Sequence, residues 1–294
     1  MSLCTADIEE TLSTIRVMRR QEETVYATCD YLNNIHEMMI TGRDEPVDAA
    51  CRLAMAQWCF QIVEFCNYKR ETAAVCMNNL DRFLATEAGE TILSDRSQFQ
   101  LAAMTALYTA VKIHEHEAMD PNLVSRLSEG IHSPEAVETM ESVMLNAIQW
   151  RVNPPTSMAF VRMFLDLVPG YVLDEATRTT IMELAQYQTE LAVCECQFCG
   201  TNPSFVAFAS LLNAIDSLDD AKLSRNFEIV VSRAAHIDST RLLDLRVELY
   251  EAIAEETSDQ PISATLASKP SSCGSASIEN SQSSIHTSPR SVSA

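Results

Sequence analysis

Apolar residues recur along this chain at spacings of three and four, the period of helices that bury one face. The first run is Ile8, Leu12, Ile15 and Met18, opened by Thr5 and Asp7 as capping residues. The pattern predicts a helix that continues through "EETVYATCDYLNNI" until "TGRDEPVD" interrupts it. From about Val47 to Cys66 the chain is apolar nearly all round, which marks a helix at the centre of a bundle. "YKRETAAVCMNNLDRFLA" gives the next helix and "EAGETILSDRS" a connection. Ser94 or Asp95 is placed to cap a long helix from about Arg96 to His116. That helix is dense in Ala, and small side chains let neighbouring helices approach closely, so it too belongs at a centre.

After "MDPNLVSRL", Ser133 and Pro134 supply a cap and a first-turn proline for "EAVETMESVMLNAIQW". Pro154 and Pro155 stop that helix and Thr156 can cap the next, which makes this the expected domain boundary. Beyond it, "SMAFVRMFLDLV", "DEATRTTIMELAQYQTELAVC", "PSFVAFASLLNAID", "DAKLSRNFEIVVSRAA" and "STRLLDLRVELYEAIAEE" form a second set of helical segments. From Thr257 the sequence is Ser-rich with few large apolar residues, and a disordered C-terminal tail is expected. The expected organisation is all-α: an N-terminal helix and connection (1–46), a first helical domain (47–153), a second (154–256) and the tail (257–294). No alternating segment bounded by Asn-Gly or Asp-Gly turns suggests a hairpin, and the whole chain holds six glycines.

Charge narrows the classes of partner. With 21 basic against 41 acidic residues the net charge is -20, which argues against nucleic acid and against an anionic membrane surface. No window approaches the roughly 20 apolar residues that span a bilayer. The start, "SLCTADIEETLSTIRVMRRQEE", lacks the apolar core of a signal peptide. The expected location is the nucleus or the cytoplasm. Cysteine usage agrees, since Cys59, Cys66 and Cys76 sit in apolar helical patterns where a free thiol behaves as a small hydrophobe. Cys194, Cys196 and Cys199 raise the question of zinc. Tetrahedral zinc takes four ligands, usually as two spaced pairs, and the next His or Cys is distant. The favoured reading is a thiol-rich helix end, with no metal and no cofactor.

Catalytic patterns do not emerge. There is neither a Gly-rich phosphate loop nor a Gly-x-Ser-x-Gly elbow, and "KIHEHE" around His114 and His116 is not His-Glu-x-x-His. The chain is not expected to be an enzyme. Lone charges inside apolar helices remain to be explained. Arg52 needs a carboxylate, because an unpaired buried charge costs several kcal/mol, and Asp81 in the following helix is the nearest candidate. Lys112 ends a half-polar stripe, and Glu141 stands among Met140, Val143, Met144 and Leu145. Two readings stay open for them: a lysine snorkelling beside an ordinary helix glutamate, or charged groups at an interface.

Arg52, Trp58, Glu71-Thr72, "LDRFL" (Leu80 to Leu84), "TALYTAVKIHE" around Lys112 and "VETMESVMLNAIQW" follow one another in an order that resembles the cyclin box. The "PPT" at Pro154 to Thr156 resembles the junction between the boxes of a two-box cyclin. The resemblance covers Val47 to Thr156 and, more weakly, runs on to Glu256. It implies two cyclin-box-like five-helix repeats preceded by an N-terminal helix. It also implies a non-catalytic subunit that binds and activates a cyclin-dependent protein kinase, as a heterodimer, and controls cell-cycle progression. Carried over by position, Lys112 and Glu141, with Ile113 and Leu145 beside them, would contact the kinase. Arg52 and Asp81 would form a buried ion pair tying the first box helix to the second.

Met55, Trp58, Gln61, Phe99 and Gln100 would form a docking patch for Arg-x-Leu motifs of kinase substrates. Ala54 stands where the family commonly has Ile, which leaves a shallower pocket, and Gln61 stands where an acidic residue often pairs with the motif's arginine. Two alternatives use the same fold: a transcription-associated module contacting DNA, which needs basic faces, and a diverged scaffold without kinase activation. In the tail, Ser288-Pro289-Arg290 is a minimal proline-directed phosphorylation site. Arg-x-x-Leu sequences at Arg162–Leu165 and Arg246–Leu249 lie inside predicted helices, where a degradation receptor cannot read an extended peptide.

Overall fold

Side chains that accept a backbone N–H open most of the helices, and the residues responsible are the short polar ones before each apolar run. The structure, a computed structural model, describes residues 5–32, 46–218, 221–235, 237 and 239–259. Helix α1 spans Thr5–Glu23. Helix α2 spans Ala49–Phe65, capped by Asp48, which accepts from the Cys51 N–H at 2.8 Å. Helix α3 is Glu71–Leu84, followed by the single turn α4, Glu87–Glu90, and a 3-10 turn at Thr91–Ser94. The expected connection is therefore itself helical, and Gly89 is required in it: a Cβ there would lie 2.1 Å from the Phe83 carbonyl oxygen.

Asp95 caps the long helix α5, Arg96–His114, by accepting from Ser97 and Gln98. Helices α6, Pro121–Leu127, and α7, Pro134–Ala147, both begin on proline behind an Asp or Ser cap. Helix α7 stops before the expected Trp150 because Gln149 and Trp150 take positive φ values of 54° and 59°. Thr156 caps α8, Ser157–Asp166, and Asp174 caps α9, Glu175–Cys194. After a 3-10 turn at Cys196–Phe198 come α10, Pro203–Asp216, α11, Ala221–Ala235, and α12, Ser239–Asp259. Helix α12 thus runs past the expected end of the second domain at Glu256. No strand occurs among the described residues, and none of the described helices is long and apolar enough to cross a membrane.

Two apolar cores result. In the first, α5 is the axis: Ala102, Ala103, Ala106, Leu107, Ala110 and Val111 are all 0% exposed, and α3 and α7 pack directly against it. In the second, α10 takes that place between α8, α9 and α12, with Phe208 edge-on to Phe164 at 6.0 Å. Each fully buried Leu or Phe contributes about 1.5–3 kcal/mol through the apolar surface removed from water.

Helix α1 departs from expectation in its length. It ends at Glu23 instead of running on through the segment that ends at residue 35; the part of that prediction over 33–35 lies outside the described residues. Gln21 O closes the helix by accepting from Thr24 and Tyr26 N–H groups. The following segment is held elsewhere, with the Arg82 guanidinium 4.8 Å from the Tyr26 ring and bonded to the Val25 carbonyl. Helix α1 packs on the second domain, against α8 and α11, and Ile15 is wholly buried in the second core.

Candidate functional site

Lys112 stands in the last turn of α5 and Glu141 in the middle of α7, two helices that pack side by side. The structure brings them together: Lys112 Nζ donates to both Glu141 oxygens at 3.0 Å. Thr109, buried one turn earlier, has its hydroxyl 2.9 Å from the Thr105 carbonyl and 3.2 Å from Glu141 Oε1, so its single proton is shared between the helix backbone and the carboxylate. The ammonium also lies 4.8 Å from the Tyr108 ring centroid, within cation–π range. Burial disfavours the charge on Lys112, but the hydrogen bonds and attraction of Glu141 outweigh it and raise the lysine above its ordinary value.

The pair sits at the margin of the fold. The Lys112 side chain is 40% exposed and that of Glu141 13%. Such a pair contributes on the order of 1 kcal/mol or less to folding. Ile113 and Val143 are exposed on the same two helices, at 44% and 42%. Leu145, expected with them, is turned inward, and its carbonyl accepts from Trp150 N–H at the end of α7.

Arg52 and Asp81 also meet. Arg52 Nε donates to Asp81 Oδ1 at 3.0 Å and Nη2 to Oδ2 at 2.8 Å, a two-pronged contact with Arg52 only 2% exposed. Burial opposes the guanidinium charge, yet Asp81 holds it firmly protonated. The pair does more than tie α2 to α3. Arg52 Nη1 donates to the carbonyls of Val193 and Cys194, at 3.0 and 2.9 Å, capping the C-terminal end of α9 in the second domain. A cation at that end also faces the negative end of the helix dipole. Tyr31 OH donates to Asp81 Oδ1 at 2.9 Å, so a third segment joins the same carboxylate.

The residues expected as a docking patch are largely interior. Met55, Trp58 and Phe99 are 3%, 3% and 1% exposed, and Trp58 Nε1 is buried without a hydrogen-bond partner. Gln61 is exposed, whereas Gln100 is half-buried with its Oε1 3.1 Å from His132 Nε2. Cys194, Cys196 and Cys199 carry free thiols. Among the described residues no group of three His, Cys, Asp or Glu is placed to hold a metal. Burial, with the Asp81 carboxylate beside it, keeps the Cys199 thiol protonated. Ser288 lies outside the described residues.

Several contacts escaped the sequence reading. Arg70 of the α2–α3 turn meets Glu190 of α9 through Nε and Nη2, at 2.6–2.8 Å, and Glu71 accepts from Arg162 at 2.5 Å and from Thr156. These ion pairs line a cleft of about 300 Å³ between the domains. Arg82 is buried with neutral acceptors, Asn78, Asn79 and backbone carbonyls, and burial pushes its guanidinium down to about 10. Apart from Asn78 and Asn79, which lie one turn before Arg82 in α3, these partners sit in distant helices or loops and nothing in local spacing marks them.

Two helical domains locked through buried charges, with an ordered ion pair at one outer edge, define an all-α two-domain protein. Residues 13–153 match the family model for the cyclin N-terminal domain and 155–277 that for the cyclin C-terminal domain. The chain belongs to the cyclin family. It is 25% identical over 205 residues to the G1/S-specific cyclin-D1 of Mus musculus, a match covering 70% of this chain and 64% of that protein. It is 27% identical over 195 residues to the G2/mitotic-specific cyclin-B of Hydra viridissima, covering 65% of this chain and 47% of that one. These matches span less than two thirds of either relative's length. Among solved structures, a viral cyclin from herpesvirus saimiri shares the fold at a TM-score of 0.61 and 14% identity, over 83% of this chain and 96% of that one. A chain of the CAK complex from Chaetomium thermophilum does so at 0.51 and 14%, over 87% and 76%.

Proposed function

We propose that this chain is the non-catalytic regulatory subunit of a cyclin-dependent protein kinase, activating it in the control of cell-cycle progression. The observation that supports this best is the Lys112–Glu141 pair, held by Thr109 and bordered by exposed Ile113 and Val143. Both charges are already oriented, so a partner can bond them without first ordering two long side chains. Activation then works by population shift: contacts made only to the kinase's active arrangement favour that arrangement. Recruitment of substrates at Trp58 would further require its ring to open, since it is 3% exposed. Phosphorylation of Ser288 by the bound kinase belongs to the same reading, and mass spectrometry after incubation with the kinase tests it.

The central test is the double substitution Lys112→Ala with Glu141→Ala. It is expected to abolish retrieval of the kinase from cell extract, because losing charge-assisted bonds across an interface typically costs about 2–5 kcal/mol. The helical circular-dichroism signal is expected to persist. Normal kinase activation by the double variant would overturn the assignment of the interface. Failure of the wild-type chain to retrieve any kinase would leave the scaffold reading instead.

A further inference from the structure

Helices α9 and α12 pack side by side on α10, joined by Asn213, which donates to Gln188 Oε1 at 3.0 Å and to the Arg246 carbonyl at 3.3 Å. Each also presents apolar side chains outward. On α12 these are Leu243 and Val247, at 63% and 55% exposed, a stripe facing away from the buried Leu242, Leu245 and Leu249 that runs on to Tyr250, 46% exposed with its hydroxyl turned back to donate to the Asn213 carbonyl at 3.3 Å. On α9 they are Leu184 and Tyr187, at 38% and 43%. A helix needs one apolar face to join a core, and α12 has two. Clusters of this kind on an otherwise polar surface mark contact sites.

Charge decides what fits there. The exposed charged residues flanking the stripe on α12 are Asp244, Glu248 and Glu251, against one exposed cation, Arg241, at the start of the helix, and Glu183 is exposed beside Leu184 on α9. A second copy of the chain would set these carboxylates against their own kind, which is unfavourable. We propose that the outer face of α9 and α12 docks an amphipathic helix of a partner polypeptide, with apolar residues in its centre and Lys or Arg along its flanks. Such a helix lays its i, i+4, i+7 anchors against the stripe while its cations meet the acidic rim. The face belongs to the second domain, apart from Lys112 and Glu141 in the first, and its occupation does not depend on the kinase.

The probe is a labelled synthetic helical peptide with Leu at i, i+4 and i+7 and Lys on both flanks, titrated into the full chain by fluorescence anisotropy. A second peptide carries Glu on the flanks. The Lys peptide is expected to bind saturably, about tenfold or more tighter than the Glu peptide, and to weaken with added salt. Leu243→Ser with Val247→Ser should abolish binding with the circular-dichroism spectrum unchanged, both side chains being exposed. Glu248→Lys with Glu251→Lys should reverse the preference between peptides. Absence of binding, equal binding of both peptides, or binding unaffected by the serine pair would overturn the proposal. A concentration-dependent dimer in sedimentation, lost in the serine variant, would overturn it in favour of a second copy.

Discussion

Arg52 shows how much can hang on one side chain. Its guanidinium closes the α2–α3 contact through Asp81 and the end of α9 through two carbonyls, all while 2% exposed. Removing one partner of a buried ion pair leaves an uncompensated charge and typically costs about 3–5 kcal/mol. Arg52→Met is expected to destabilise by that amount in urea unfolding. Adding Asp81→Leu should recover only part of it, because the α9 carbonyls stay uncapped and the buried Tyr31 hydroxyl loses its acceptor, at about 1–3 kcal/mol each. A loss under about 1 kcal/mol for Arg52→Met alone would show that the arginine does not join the domains. The need for a carboxylate was legible from an arginine in an apolar helix. The α9 carbonyls were not, since any helix end offers the same unsatisfied groups and the sequence does not say which end comes near.

At the scale of elements, the caps were the most legible feature: Asp95, Ser133 and Thr156 act within three residues of themselves, and local sequence suffices. The attachment of α1 is the opposite case. Glu22, 1% exposed, accepts from the N–H and hydroxyl of Ser204 at the start of α10, a helix whose own cap residue, Asn202, makes no side-chain bond. Burial raises the Glu22 carboxyl from 4.5 to about 7, against the pull of Ser204 and of Arg19 at 3.4 Å and with a small push from Glu23. The folded state therefore holds its proton more tightly than the unfolded chain. This contribution is fully favourable below pH 4.5, and it is lost as pH rises through about 7. Hydrogen exchange of α1 should accordingly quicken between pH 5 and 8 after correction for intrinsic rates, by up to about 3 kcal/mol of opening free energy. Glu22→Gln should flatten that dependence. An unchanged profile in the variant would place the titrating group elsewhere.

Across the whole molecule, the domains meet through charge as well as apolar contact. The Arg70–Glu190 pair is partly exposed, 39% and 19% by side chain, so a double-mutant cycle should give a coupling of about 0.5–1 kcal/mol. The coupling should fall toward zero at 1 M salt, where the Debye length is about 3 Å. A coupling absent at low salt would remove this pair from the forces that hold the domains. Helix order was readable because it depends on neighbours in sequence, whereas the contacts across the cleft were not. Helix α1 carries the same lesson into the order of synthesis. Its site on α10 lies 182 positions downstream. At about 5–20 residues per second the ribosome delivers that site on the order of ten seconds after α1 emerges. The first domain can close in that interval, while Ile8, Leu12 and Ile15 travel unburied. Helix α1 is thus made well before the surface it docks on, a nonlocal closure that slows folding and exposes the nascent chain to chaperones.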